Sequence, residues 1–221
     1  MALTEIIAET QIPTIAHHHD FFWERKRFLT NSIWDILNAS FPPHLKNMQH
    51  VVINTSAQNQ LALRTGIAST LIPNVMEFES PPAGIDGYNA DVREALGLDP
   101  DELLVLQPTR VVQRKGIEHA IELVARLDRK AAMVISHASG DEGYEYQQRV
   151  HEFADLLGVR ALFDDHVIDD TRGTTPDGAK VYSLQDVYPH ADLITYPYLI
   201  DVFGNAFLEA VYLRKPVLVN S

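Results

Sequence analysis

The chain has 221 residues, of which 46% are hydrophobic, enough to bury the core of one large or two small α/β domains. Its formal net charge of −12 disfavours nucleic acid as a partner, although a locally basic phosphate pocket remains compatible with that charge. The absence of cysteine excludes disulfides and fits a cytoplasmic protein. No secretory signal is expected, and no apolar run of roughly 18 residues predicts a transmembrane segment.

A histidine run, 17–19, stands before Asp20 near the amino end. Its imidazoles can serve as metal ligands, as a general acid or base, or as hydrogen-bond donors to a sugar. A metal cluster is disfavoured because neighbouring side chains of an extended chain point to opposite faces. Asp20 is expected to cap a helix over 20–38, whose aromatic side chains pack it or line an acceptor groove. The alternative is a polar loop that leads into this helix.

Apolar runs typical of strands alternate along the chain with runs of helical spacing. This alternation predicts a parallel sheet covered by helices. The strand candidates are 51–54, 103–107, 131–136, 191–195 and 216–219, and the helix candidates are 57–65, 117–127, 144–157 and 206–213.

A segment rich in proline, glycine and acids follows Ile72 and is the expected joint between two domains. We therefore predict a first domain over 1–73, a linker over 74–100 and a second domain over 101–221. Within the linker, Asn89 is expected to cap a short helix through Leu96, with Gly97 as its stop.

Two cations follow the predicted strand 103–107. Arg110 and Lys115 come before Gly116 and an amphipathic helix. Arginine binds phosphate as a bidentate fork and lysine binds it as a point charge. The pattern therefore indicates a site for the two phosphates of a nucleotide diphosphate.

Two carboxylates flank a glycine turn between the strand 191–195 and the helix 206–213. Asp201 lies in the loop and Glu209 lies in the helix, with Gly204 between them. Ligands of open α/β sheets sit outside the carboxyl ends of the strands, where a following helix offers unpaired N–H groups to phosphate. The carboxylates would accept hydrogen bonds from sugar or ribose hydroxyls. The alternative is an ordinary strand-loop-helix unit with two solvated acids.

In these motifs the chain resembles the family 4 glycosyltransferases, glycosyl transferases group 1, of the GT-B fold. The shared features are the acidic pair with seven residues between its members, the Arg and Lys-Gly upstream, and Ile-Pro-Asn at 72–74. Asp201 replaces the usual Glu of that family, and Val202 replaces a usual Gly. The resemblance implies an α/β protein with the Rossmann-like parallel sheets of GT-B, its first domain partial and its second largely present.

The resemblance also implies an activity. It is the transfer of a hexose, with retention and without a metal, from a UDP- or GDP-sugar to an unknown hydroxyl acceptor, which is a glycan, a lipid or a small molecule. No cofactor is expected beyond the donor. Because the first domain lacks its opening strands and the last strand lacks its closing helices, we expect a central piece of a larger enzyme, and its activity alone is left open.

By the same resemblance, the site residues have distinct roles. Arg110 and Lys115 bind the diphosphate, Asp201 binds the sugar hydroxyls and Glu209 binds the ribose. The backbone at Gly204, Asn205 and Ala206 assists with the diphosphate. From the first domain, His19 contacts the donor sugar, with Asp20 beside it and with His18 in its place if the register slips.

Two loops and two alternatives remain. The polar segment 166–180 is expected as a long loop around the nucleobase, while Ser136 and His137 stand where that family often has glycine near the donor. One alternative function is that of a sugar-nucleotide epimerase of the same architecture, which would bind a similar donor and convert it without an acceptor. A non-catalytic nucleotide-sugar-binding module would bind the donor without turnover.

Overall fold

The computed structural model describes residues 2–25, 28–82, 84–137, 144–163, 167–198 and 203–220. The chain divides into two compact units, Met1–Met76 and Glu77–Ser221. Each unit contains a parallel sheet with helices, so the α/β class predicted from the alternating sequence pattern is confirmed.

The first unit is built on three parallel strands in the order β1-β2-β3. It also carries a 3-10 turn at Phe22–Glu24. Its elements in chain order are α1 (Ala2–Thr10), β1 (Thr14–His18), α2 (Trp34–Ser40), β2 (Met48–Val52), α3 (Thr55–Thr65) and β3 (Ser69–Leu71).

Helix α3 is capped at both of its ends. The Asn54 side chain accepts a hydrogen bond from the Ala57 N–H at the start, and Gly66 ends the helix with a φ of 74°. Its apolar face packs Ala57 and Leu61 against Val52 of β2. The core of this unit therefore lies between the sheet and one helix.

The predicted helix over 20–38 is wrong. Asp20 pairs with Arg25 and does not cap a helix, while the Phe21 N–H is bound by the Glu24 carboxylate. Arg25 is extended, with a φ of −106°, so the first helical turn ends at Glu24. The described residues of the segment therefore form a short 3-10 turn and then helix α2, which begins only at Trp34.

The second unit is built on five parallel strands in the order β11-β10-β4-β5-β6. A small mixed sheet, β7-β9-β8, belongs to the same unit. The elements are α4 (Val92–Ala95), β4 (Leu103–Arg110), α5 (Ile117–Ala125), β5 (Ala131–His137), α6 (Glu145–Leu156), β6 (Arg160–Phe163), β7 (Ile168–Asp169), β8 (Gly173–Thr174), β9 (Lys180–Ser183), α7 (Leu184–Val187), β10 (Leu193–Tyr196), α8 (Asn205–Tyr212) and β11 (Val217–Val219).

Both faces of this five-stranded sheet are buried. Leu104 and Leu106 of β4 point into one hydrophobic cluster, which also contains Ala210 of α8. Val105 points into a second cluster with Ile117 and Ile121 of α5. Burial on both faces explains why the central strand reads as a continuous apolar run and lacks alternation.

The second unit contains an ion network that the sequence did not predict. Arg172 binds both carboxylate oxygens of Asp186 through Nε at 3.0 Å and also pairs with Asp86. Burial acts to raise the pKa of Asp186, but hydrogen bonds from Arg172 and Ser183 outweigh burial and leave that pKa below its ordinary value. This network binds the segment before α4 to the small sheet.

Two local predictions in this region are corrected. Asn89 does not cap α4, because its amide donates to the Gly84 carbonyl and to Asp186, and its oxygen accepts from the Asp86 N–H. The segment 166–180 is not simply a loop, because its described residues include β7, β8 and the first residue of β9. Strands of two residues are too short to produce a periodic signal.

No helix in the described ranges is long and apolar enough to cross a membrane.

Gly116 closes the turn between β4 and α5 in a conformation that suits only glycine. Its φ is 61°, and a Cβ atom there would overlap the carbonyl oxygen of Pro197. Gly178 also has a positive φ, 90°, but a Cβ there would meet open space. Comparing substitutions at the two positions therefore separates the cost of backbone strain from the cost of a steric clash.

We predict that Gly116→Ala destabilises the second unit more than Gly178→Ala does. The positive φ should cost about 1–2 kcal/mol in either variant, and the clash with Pro197 should add about 1–3 kcal/mol in the first alone. Urea unfolding followed by circular dichroism checks this difference. Equal losses in the two variants would show that the Gly116–Pro197 approach is not tight.

Candidate functional site

The order of strands in the second unit reverses between β4 and β10. From β4 the chain proceeds outward through β5 and β6, and it then returns to the other side of β4 with β10 and β11. Ligands of open α/β sheets bind at such a switch point, outside the carboxyl ends of the strands. The segments that leave β4 and β10 therefore form the candidate site.

A buried polar cluster joins these two strands. The Thr195 hydroxyl of β10 donates to Gln107 Oε1 of β4 at 3.2 Å, and the Gln107 amide donates to the Lys115 carbonyl at 3.0 Å. Gln107 and Thr195 are both fully buried. Because each bond satisfies a group that water cannot reach, the cluster fixes the main chain at Lys115.

Lys115 ends a 3-10 turn, Gln113–Lys115, just before Gly116 and helix α5. Its ammonium lies 3.7 Å from the centre of the Tyr198 ring. The Tyr198 ring in turn lies 3.6 Å, centre to centre, from the ring of Tyr196. The Lys115 ammonium therefore contacts the face of an aromatic ring in the segment that follows β10.

Arg110 is the last residue of β4 and is exposed. It stands opposite His137, the last residue of β5, and the register of the pair shifts between Gln107 and Arg110. The Ser136 hydroxyl and His137 Nδ1 are 2.6 Å apart. Such an irregularity commonly re-aims the end of a strand, and here it affects the residue that carries the predicted phosphate contact.

Helix α8 begins directly after Gly204. That glycine has a φ of 84°, and a Cβ atom there would lie 3.6 Å from the Tyr196 hydroxyl. The N–H groups of the first turn, which include those of Asn205 and Ala206, lack partners within the helix. These groups and the positive end of the helix dipole favour an anion.

Glu209 lies just over one turn into α8 and is held by Tyr188. The Tyr188 hydroxyl donates to Glu209 Oε2 at 2.9 Å. Burial raises the pKa of Tyr188, and the Glu209 carboxylate raises it further. The phenol therefore stays protonated and orients the carboxylate. Asp201, the other acid of the predicted pair, lies outside the described residues.

His19 and Asp20 belong to the first unit. His19 is exposed, with its ring 4.9 Å from that of His17, and Asp20 is engaged by Arg25. His18 is the organised histidine of the run, since its Nε2 lies 2.9 Å from His50 Nδ1 of β2 and the two rings stack.

The environment keeps this histidine pair neutral. Burial lowers the pKa of His18 to about 4, with smaller contributions from His50 and His17. Burial also lowers the pKa of His50. His50 Nε2 has no hydrogen-bond partner among the described residues.

Sequence reasoning missed the side chains that organise this edge of the sheet. These are Gln107, Thr195, Tyr188 and Tyr198. Gln107 had a usable signal, because a glutamine within an apolar run needs a buried partner. The tyrosines had none, because their partners are distant in the chain. In the part of the chain that the structure describes, no group of three His, Asp or Glu side chains is placed to hold a metal.

Two curated relatives match most of the chain. It is 34% identical over 240 residues to mannosylglucosylglycerate synthase of Petrotoga mobilis, an alignment that covers 99% of the chain and 55% of the relative. It is 37% identical over 223 residues to the mannosylglucosylglycerate synthase of Thermotoga maritima, with 93% and 50% covered. The chain thus spans about half the length of these relatives. No family model matches it, so membership of family 4 stays a prediction.

Solved structures share the fold. HepE of Anabaena, crystallised with UDP-glucose, superposes with a TM-score of 0.74 at 15% identity, over 98% of this chain and 55% of that one. Glycosyltransferases are among the other structures with this fold. The predicted fold class, the Rossmann-like parallel sheets of GT-B glycosyltransferases, is therefore confirmed.

We predict that His18 titrates near pH 4 and that the first unit loses stability as the pH falls from about 6.5 toward 4. In this window the unfolded chain binds a proton that folded His18 excludes, so acid favours unfolding. NMR titration of the imidazoles measures the first effect. Urea unfolding followed by tryptophan fluorescence measures the second, because both tryptophans, Trp23 and Trp34, lie in this unit.

His18→Gln is the control for this experiment. It keeps a hydrogen-bonding side chain but removes the titrating group, so the pH dependence between 6.5 and 4 should flatten. An ordinary midpoint for His18, near 6.5, would contradict the prediction.

Proposed function

We propose that this chain serves a glycosyltransferase that moves a hexose from a nucleotide diphosphate sugar to a hydroxyl acceptor, with retention of configuration and without a metal. The observation that carries the proposal is the edge of the second sheet at the switch point. Lys115 follows β4 there, and helix α8, whose Glu209 is bound by Tyr188, follows β10.

The chemical problem in such a transfer is the charge that develops on the departing diphosphate. In our proposal, Arg110 and Lys115 stabilise that charge, and the N–H groups from Gly204 to Ala206 assist. Fixed donors in a site that excludes water stabilise developing charge without having to reorganise. The buried polar cluster supports this role for Lys115, because it fixes the backbone that carries the side chain.

The remaining proposed roles concern hydroxyl groups. Glu209, oriented by Tyr188, accepts hydrogen bonds from the ribose. Asp201 holds the hydroxyls of the transferred sugar. From the first unit we propose His19, with Asp20 beside it, as the donor-sugar contact, and His18 as the alternative.

The names of the relatives suggest the substrates. Mannosylglucosylglycerate contains a mannosyl group, a glucosyl group and glycerate, so we propose transfer of mannose to glucosylglycerate or a similar small glycoside. The UDP-glucose complex of HepE supports a nucleotide diphosphate sugar as the donor type. Identity over half of each relative supports the reaction class, and the base of the donor is left to the binding experiment below.

We predict that the chain binds one of UDP and GDP and that Lys115→Ala weakens this binding about 10–100-fold, the usual value of a hydrogen bond to a charged group. Titration calorimetry of the intact chain at low salt measures it. Lys130→Ala is the matched control. It removes the same charge just before β5, at the opposite edge of the sheet, where Lys130 pairs with Asp99. Equal effects of the two variants would remove Lys115 from the site.

Product analysis then decides the reaction. UDP- and GDP-activated mannose and glucose are incubated with and without glucosylglycerate, using the intact protein. Free nucleotide together with a glycosylated product supports the transferase. An isomerised sugar nucleotide formed without acceptor would instead indicate an epimerase, and binding without turnover would indicate a binding module.

A further inference from the structure

Tyr198 is a residue to which the motifs assigned no role. It lies directly after β10 and Pro197 and is 8% exposed. Its ring contacts the Lys115 ammonium at 3.7 Å and the Tyr196 ring at 3.6 Å. An aromatic side chain that is nearly buried therefore lies against the cation proposed to bind the diphosphate.

The main chain brings Lys115 and Tyr198 close together. Gly116 lies so close to the Pro197 carbonyl that no Cβ atom fits between them. Gln107 holds the Lys115 carbonyl from the other side at 3.0 Å. The residues on either side of this approach, Lys115 and Tyr198, are consequently held next to each other by the packing of β4 on β10.

An aromatic ring and a carboxylate restrain a lysine side chain through different interactions. The lysine side chain is a flexible four-carbon stem, and fixing it costs conformational entropy. An aromatic face attracts the ammonium electrostatically but carries no net charge. The contact with Tyr198 therefore restrains the Lys115 side chain without adding an opposite charge of its own.

Tyr198 also influences Tyr188, the residue that binds Glu209. Its phenol adds to the rise in the pKa of Tyr188, after burial and Glu209. The Tyr188 hydroxyl donates to Glu209. Tyr198 thus interacts with Lys115 and with the residue that orients Glu209.

We propose that Tyr198 is a positioning residue, whose ring holds the Lys115 ammonium in place for the diphosphate of a nucleotide sugar. This inference rests on the proposed function, because it assigns Lys115 to that diphosphate. The face of the ring is the part that acts, so phenylalanine can replace Tyr198 and an aliphatic side chain cannot.

A double-mutant cycle on the intact chain tests the proposal, with UDP and GDP as the probes in calorimetry. Tyr198→Leu should weaken binding of the preferred nucleotide about tenfold, as expected for loss of a desolvated cation–π contact. Tyr198→Phe should recover most of that loss. In a Lys115→Ala background, Tyr198→Leu should have no further effect, because the group that the ring positions is gone.

Two results would overturn the proposal. One is unchanged affinity in Tyr198→Leu. The other is an equal loss in both backgrounds, which would mean that the ring supports the site by packing and does not act through Lys115. Should Tyr198→Leu fail to fold, Tyr198→Met replaces it, since its unbranched side chain fills irregular space without offering a ring face.

A second readout needs no ligand and separates the two proposals. Lys115 is labelled with an amine reagent and quantified by mass spectrometry, with Lys130 of the same molecule as the internal reference. Labelling should be several-fold faster in Tyr198→Leu than in the unsubstituted chain or Tyr198→Phe. If neither nucleotide binds the unsubstituted chain, the proposed function fails, and the labelling rates alone decide the role of Tyr198. Equal rates would refute it.

Discussion

The approach of Gly116 to the Pro197 carbonyl is the constraint on which the rest of the candidate site depends. It places the turn after β4 directly against the chain that leaves β10, at the point where the order of the strands reverses. Only a residue without a Cβ can occupy that position in a left-handed conformation. Lys115 and Tyr198 flank this approach, so the cation and its aromatic partner are placed by backbone packing.

The polar residues between the two strands serve the same approach from within the sheet. Gln107 and Thr195 are both fully buried on adjacent strands, and the Thr195 hydroxyl donates to Gln107 Oε1. Gln107 also donates to the Lys115 carbonyl, so the register of β4 on β10 is linked to the position of the turn at Lys115. A buried pair of this kind costs stability unless fully satisfied, and it specifies one register over its neighbours.

The sequence predicted those parts of the fold that depend on local chemistry. The apolar runs that became β4, β5 and β10 were readable because burial acts on a few consecutive residues. The helix over 20–38 was misread, because the turn at Phe22–Glu24 ends at the extended Arg25 and helix α2 begins only at Trp34. Tyr198 and Tyr188 were missed because their partners, Lys115 and Glu209, are distant in sequence and only the topology brings them together.

Charge poses a problem that the site must solve locally. With a net charge of −12, the chain as a whole repels an anionic ligand. At physiological salt, however, exposed charges are screened beyond about 8 Å, so an anion at the switch point responds mainly to nearby groups. The Tyr198 ring restrains the Lys115 ammonium through an uncharged face, so this contact adds no negative charge to the candidate site of an acidic protein.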